Sequence, residues 1–132
     1  GRLSNVISIN GGVQLDLMGQ ENAESAGTRQ LSGIGGQMDF LEGAFRSKGG
    51  KGFICINSSR VTKDGERRSN IVAAIPGGST VSAPRTMIDC VATEYGVVRL
   101  MGKSLRERAE AMASIAHPDF REELMKYARE HF

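Results

Sequence analysis

A chain of 132 residues has room for one domain with one core, and is too short to bury several. Its 17 lysines and arginines stand against 15 aspartates and glutamates with the signs interspersed, which excludes the single-sign field that recruits nucleic acid or an anionic membrane. Cys55 (in FICIN) and Cys90 (in IDCVAT) read as small buried hydrophobes rather than a disulfide framework, and no apolar run approaches the roughly 20 residues that span a bilayer.

A cytoplasmic protein in a reducing compartment is expected, with neither nucleic acid nor membrane as partner. The chain opens on GRLSN with no initiating Met and runs at once into apolar residues, the expectation for a fragment or a processed piece. Val6–Ile9 and Val13–Leu17 are β-rich and separated by Asn10-Gly11-Gly12. In the second, Val13, Leu15 and Leu17 alternate with polar residues, so the pair reads as a hairpin with one buried face. Residues 19–32 are polar and read as a long loop leading to the glycine cluster.

Met38, Leu41, Ala44 and Phe45 recur at three- and four-residue spacing and predict a helix that ends before Lys48-Gly49-Gly50. GFICIN (52–57) and IVAAI (71–75) are continuously apolar and read as buried strands, separated by a turn at Lys63-Asp64-Gly65-Glu66. Further β-rich pieces lie at 80–82 and 90–93. Ser104 and Glu107 have capping-box spacing, followed by the stripe Leu105, Ala109, Met112 and Ala116. His117-Pro118 then starts a last helix with Phe120, Leu124, Tyr127 and Ala128 on its apolar face and a Glu122–Lys126 pair outside. Strands with interspersed helices and a closing helical pair predict a single α/β domain over 1–132, a mixed sheet with flanking helices.

Most nucleotide and hydrolase motifs fail by spacing. Gly33-Ile34-Gly35 has Met38 where a dinucleotide fingerprint needs glycine, and Phe45 and Val97 stand where a P-loop needs one. Gly77-Gly78-Ser79-Thr80-Val81 ends in Val, so it is no nucleophile elbow. Two isolated histidines, His117 and His131, and two strand cysteines do not supply a closed metal site. Arg60, Lys63, Arg67 and Arg68 can meet a phosphate, but Asp64 and Glu66 dilute them, and a solvated hairpin accounts for them as well.

Glu94 stands between a buried strand and a glycine, where α/β sheets place functional groups. It reads equally as a carboxylate that caps backbone amides. In SGIGGQMDF (32–40), Gly35 and Gly36 can open the helix with their amides and the positive end of the helix dipole toward an anion or a thioester oxygen. A tight loop that only turns the chain is the alternative.

Taken in order, SINGGVQLDLMGQENAES (8–25), SGIGGQMDFLEGAFRSKGGK (32–51), SNIVAAI (69–75), VSAPR (81–85), VATEYGVVRLMGKSLRERA (91–109) and IAHPDFREEL (115–124) resemble the C-terminal domain of the acetyl-CoA hydrolase/transferase family, which includes 4-hydroxybutyrate and butyrate–acetate CoA-transferases. The resemblance implies a ping-pong exchange of CoA between an acyl-CoA and a small carboxylate, through a thioester on an enzyme glutamate. That glutamate is expected upstream, in a missing N-terminal domain, so no catalytic nucleophile is expected in this chain. The resemblance further implies no permanently bound cofactor, no metal, and a homo-oligomer in the full-length form. It assigns Gly35 and Gly36 to the oxyanion- or thioester-facing loop, and Gly33, Ile34, Phe40 and Glu94 with them to the CoA and substrate site, Phe40 as a wall. Departures at Gly11-Gly12, Asn70 and Val98-Arg99 bear on acyl specificity. An acyl-CoA hydrolase, a non-catalytic CoA- or nucleotide-binding module, and Glu94 itself as nucleophile are the other readings.

Overall fold

A computed structural model describes residues 2–132. In chain order its elements are β1 (Ile7–Gly11), β2 (Gln14–Asp16), β3 (Glu21–Asn22), β4 (Ser25–Ala26), β5 (Arg29–Gln30), α1 (Gln37–Arg46), β6 (Lys51–Cys55), β7 (Ser59–Val61), β8 (Arg67–Ser69), β9 (Ile71–Val72), β10 (Cys90–Thr93), β11 (Gly96–Arg99), α2 (Leu105–Ser114) and α3 (Pro118–His131). This is the expected α/β architecture with a mixed sheet.

The main sheet has the order β1-β6-β10-β11, with β1, β6 and β10 parallel and β11 antiparallel at the edge. The GFICIN segment supplies the interior strand β6, whose Ile54 is fully buried between its neighbours. Helix α1 packs on β6 and β1. Gly52 permits this close approach, because a Cβ there would lie 3.0 Å from Leu41. A short connection through Ser47–Gly50 returns α1 into β6, so α1 runs back along the sheet. Its N-terminus therefore lies toward the carboxyl ends of β1 and β6.

The expected hairpin does not form. β1 pairs with β6 instead of β2, while β2 joins a second sheet in the order β3-β2-β9. The apolar/polar alternation misleads here because Asp16 lies inside together with Leu15 and Leu17. Its carboxylate accepts hydrogen bonds from the amides of Met18 (3.0 Å) and Gln20 (2.9 Å) and from the Gln20 side chain (2.7 Å), so the polar residue needs no water.

Residues 19–32 are likewise more ordered than a loop, carrying β3, β4 and β5. Asn22 organises them: its Oδ1 accepts from the amides of Glu24 and Ser25, each at 3.0 Å, and its Nδ2 donates to Ser25 O. IVAAI is a strand only over β9, and residues 80–82 form none; an isolated bridge joins Glu21 to Ala83 instead. Cys55 is exposed where β6 ends, whereas Cys90 is buried.

The C-terminal pair follows the sequence closely. Ser104 and Glu107 form a reciprocal capping box, and His117 caps α3 by accepting from the Asp119 amide (3.2 Å) with Pro118 in the first turn. Ala109, Met112, Ala116, Leu124 and Ala128 are buried. Leu105 and Phe45 are exposed instead, because their helices meet the core only through the inner rows of the expected stripes. Lys126 faces Glu130 at 3.9 Å, not Glu122, an equivalent exposed pair worth little either way. No helix among the described residues is long and apolar enough to cross a membrane.

Candidate functional site

The carboxyl ends of the three parallel strands surround a cleft of about 460 Å³, lined by Gly12 after β1, by Cys55 at the end of β6 with Ile56 and Asn57 beyond it, and by Ala92 and Thr93 at the end of β10 with Glu94 beyond it. Open α/β sheets bind ligands at this end. Glu94 lies at the cleft with both oxygens engaged. Oε2 accepts from the amide of Ser58 (2.8 Å) and Oε1 from its hydroxyl (2.7 Å). Burial pushes the Glu94 carboxyl up, but the two Ser58 hydrogen bonds and the nearby His117 outweigh it and hold the group below its ordinary value. The amide-capping role is therefore realised, and the carboxylate stays ionised while fixing the turn after β6.

Tyr95 extends this wall. Its ring meets His117 edge-on with centroids 5.7 Å apart, and the Arg121 guanidinium lies 5.5 Å from the Tyr95 centroid. The basic hairpin of β7 and β8 uses its charges locally. Arg60 donates to Asn70 Oδ1, Arg67 to Ser59 Oγ and Arg68 to Glu66, as in the solvated-hairpin reading. Among the described residues no three His, Cys, Asp or Glu side chains assemble as a metal site.

The glycine segment lies outside the cleft, at the N-terminus of α1. Gly35 adopts a left-handed conformation (φ +61°), and an added Cβ at Gly33 or Gly35 would meet nothing within 4 Å. Gly36 caps α1 without any side-chain hydrogen bond. Among the described residues no acceptor takes up the amides of Gly35 and Gly36. Amides at a helix start are free to donate to an anion or a carbonyl oxygen. Around them Leu31, Ile34 and Phe40 are 53%, 45% and 63% exposed, an apolar rim.

Both ends of this loop are tied to one short segment. The amides of Leu31 and Ser32 donate to Glu24 O at 2.7 and 3.1 Å. At the other end, the side chain of Gln37 donates to Glu21 Oε2. Glu21 is fully buried beside Gly12, so it links the loop to the cleft; sequence reasoning missed both Glu21 and Gln37, which pair across 16 positions.

Burial pushes the Glu21 carboxyl up to about 7, with the Gln37 hydrogen bond opposing. The sign follows from linkage. Below the ordinary value of 4.5 the group is protonated in folded and unfolded chains alike; between 4.5 and about 7 only the unfolded chain ionises, so stability falls as pH rises through that window. Relaxation around the ionised group reduces the full difference to on the order of 2 kcal/mol. Glu21→Gln is expected to remove this slope and to be the more stable protein at pH 8, as read by urea unfolding across pH 4–8. A slope unchanged by the substitution would contradict the assignment.

Residues 1–128 match the family described as the acetyl-CoA hydrolase/transferase C-terminal domain. The chain is 47% identical over 126 residues to a butyryl-CoA:acetate CoA-transferase of Anaerostipes caccae, covering 96% of this chain and 28% of that protein. It is 49% identical over 128 residues to a 4-hydroxybutyrate coenzyme A transferase of Clostridium kluyveri, covering 97% of this chain and 29% of the other. The crystal structure of RipA from Yersinia pestis superposes with a TM-score of 0.83 at 42% identity, over 96% of this chain and 28% of RipA.

Proposed function

Since the chain belongs to the acetyl-CoA hydrolase/transferase C-terminal domain family, we propose that it forms the C-terminal half-site of an acyl-CoA:carboxylate CoA-transferase. It spans under a third of the length of the relatives it matches, and in this reading residues 1–132 are one domain of a two-domain protein. The observation that carries the reading is the pair of unpartnered amides at Gly35 and Gly36, set at a helix start between the exposed side chains of Ile34 and Phe40.

A glutamate from the remainder of the protein attacks the thioester carbonyl of an acyl-CoA. The carbonyl oxygen becomes an anion, which the two amides stabilise without reorganising. Collapse expels the CoA thiolate, and its return to the glutamyl carbonyl gives the enzyme thioester and frees the first carboxylate. A second carboxylate runs the steps in reverse and leaves as the new acyl-CoA. Ile34, Phe40 and the floor built by Glu94 exclude water from the thioester and take up the CoA tail, whose binding energy is available at the reacting carbon. CoA is substrate here, not a resident cofactor. Glu94 is assigned to building the site because Ser58 occupies both of its oxygens.

The full-length protein, given butyryl-CoA and labelled acetate, is expected to form labelled acetyl-CoA with ping-pong kinetics and little free CoA. Release of free CoA without label transfer would make it a hydrolase. Binding of CoA with neither outcome would make the domain a binding module.

A further inference from the structure

We propose that Glu21 is a positioning residue for the glycine loop: its buried carboxyl, held between Gly12 and the side chain of Gln37, fixes the direction of the Gly35 and Gly36 amides. This rests on the reading of those amides given above and extends it to a residue that touches no substrate.

Three observations support the assignment. First, α1 starts without a side-chain cap at Gly36, so the first anchored group of the helix is the Gln37 side chain, itself buried, which donates to Glu21 Oε2. Second, Glu21 is a rigid post. Its amide donates to Ala83 O (3.0 Å), and its carbonyl accepts from the amides of Ser82 (2.7 Å) and Ala83 (3.2 Å). Third, the side chain has one place to sit. Oε1 is buried with no hydrogen-bond partner among the described residues and lies over Gly12, where an added Cβ would stand 2.5 Å away. The missing side chain at Gly12 makes room for the carboxyl, and Gly12 also lines the cleft that holds Glu94. One carboxyl thus sets the spacing between the glycine loop and the strand ends, and a misplacement of about 1 Å at a reacting centre costs on the order of a hundredfold in rate.

The test uses the full-length protein with Glu21→Ala, Gln37→Ala, the double variant and Glu21→Gln, assayed with butyryl-CoA and acetate. Glu21→Ala and Gln37→Ala are each expected to lower kcat about tenfold or more, with KM for butyryl-CoA held within about twofold. The double variant is expected to be no worse than either single, since both remove the same contact. Glu21→Gln keeps the acceptor and is expected to recover kcat to within about threefold of wild type. Amide hydrogen exchange of Phe40, whose amide donates to Gly36 O, and of the amides that follow it in α1 reads the same positioning without substrate, and is expected to speed up in both alanine variants but not in Glu21→Gln.

If Glu21→Ala fails to fold, Gln37→Ala, which leaves β3 intact, carries the same expectations. Unchanged kcat and exchange in Gln37→Ala, additive losses in the double variant, or a Glu21→Gln no better than Glu21→Ala would each overturn the proposal. A wild-type protein that transfers no CoA would instead overturn the reading of the site, and the exchange measurement would still decide the role of Glu21.

Discussion

Arg108→Ala is expected to destabilise the protein by about 2–4 kcal/mol, the cost of stripping buried carbonyls of a charged donor and leaving a void. Arg108 is 7% exposed, and its guanidinium spends donors on three carbonyls: Nε on Met18 (2.9 Å), Nη1 on Leu100 (3.1 Å) and Nη2 on Arg85 (2.7 Å). These carbonyls lie on three separated loops, so one side chain on α2 ties together the segments after β2, before β10 and after β11. Truncation leaves the Met18 and Arg85 carbonyls without a donor, while Leu100 O keeps the Lys103 amide (3.2 Å), and it opens a void next to Gly19, where an added Cβ would stand 2.8 Å from Nη2. Arg108→Lys replaces a planar fork by a point charge and is expected to restore less than half of the loss. Urea unfolding measures both, and a loss below about 1 kcal/mol for Arg108→Ala would show that the network is dispensable.

Gly35→Val is expected to lower kcat of the full-length protein by roughly a hundredfold to a thousandfold, the range found when one oxyanion donor is removed. Gly35 has φ +61°, which a β-branched residue adopts only under strain, so the valine variant relaxes by turning the peptide plane. Space is not the obstacle, since nothing lies within 4 Å of a Cβ at that position. The effect should therefore fall on the transition state, with a stability change of only about 1–2 kcal/mol. Steady-state kinetics beside an unfolding curve separates the two, and an unchanged kcat would remove the loop amides from the chemistry.

What could be read in advance was what depends on neighbours in sequence. The Ser104–Glu107 box, the Pro118 start of α3 and the interior strand from GFICIN all have local causes and form as expected. The hairpin expectation failed because period-2 alternation speaks of side-chain faces and not of which strand is the partner. A buried Asp16 satisfied by its own loop breaks the rule that polar means outward.

Arg108 looks, in SLRERA, like one more solvated helix residue; only the fold brings Met18, Arg85 and Leu100 to it. Glu21 and Gln37 were silent for the same reason, each depending on a partner that the crossover into α1 brings near. The glycine cluster stood out by composition. Its role depends on what the free amides face, and in the proposed arrangement that is the carbonyl oxygen of an acyl-CoA thioester, attacked by a glutamate from another part of the protein.

The central claim is that this domain supplies the wall and the oxyanion donors while the nucleophile lies elsewhere. Peptide mapping by mass spectrometry of the full-length protein, quenched during turnover with acyl-CoA, tests it most directly. The covalent CoA adduct is predicted on a glutamate outside these 132 residues, with Glu94 and Glu21 unmodified. An adduct on Glu94, or on any carboxylate of this domain, would contradict it.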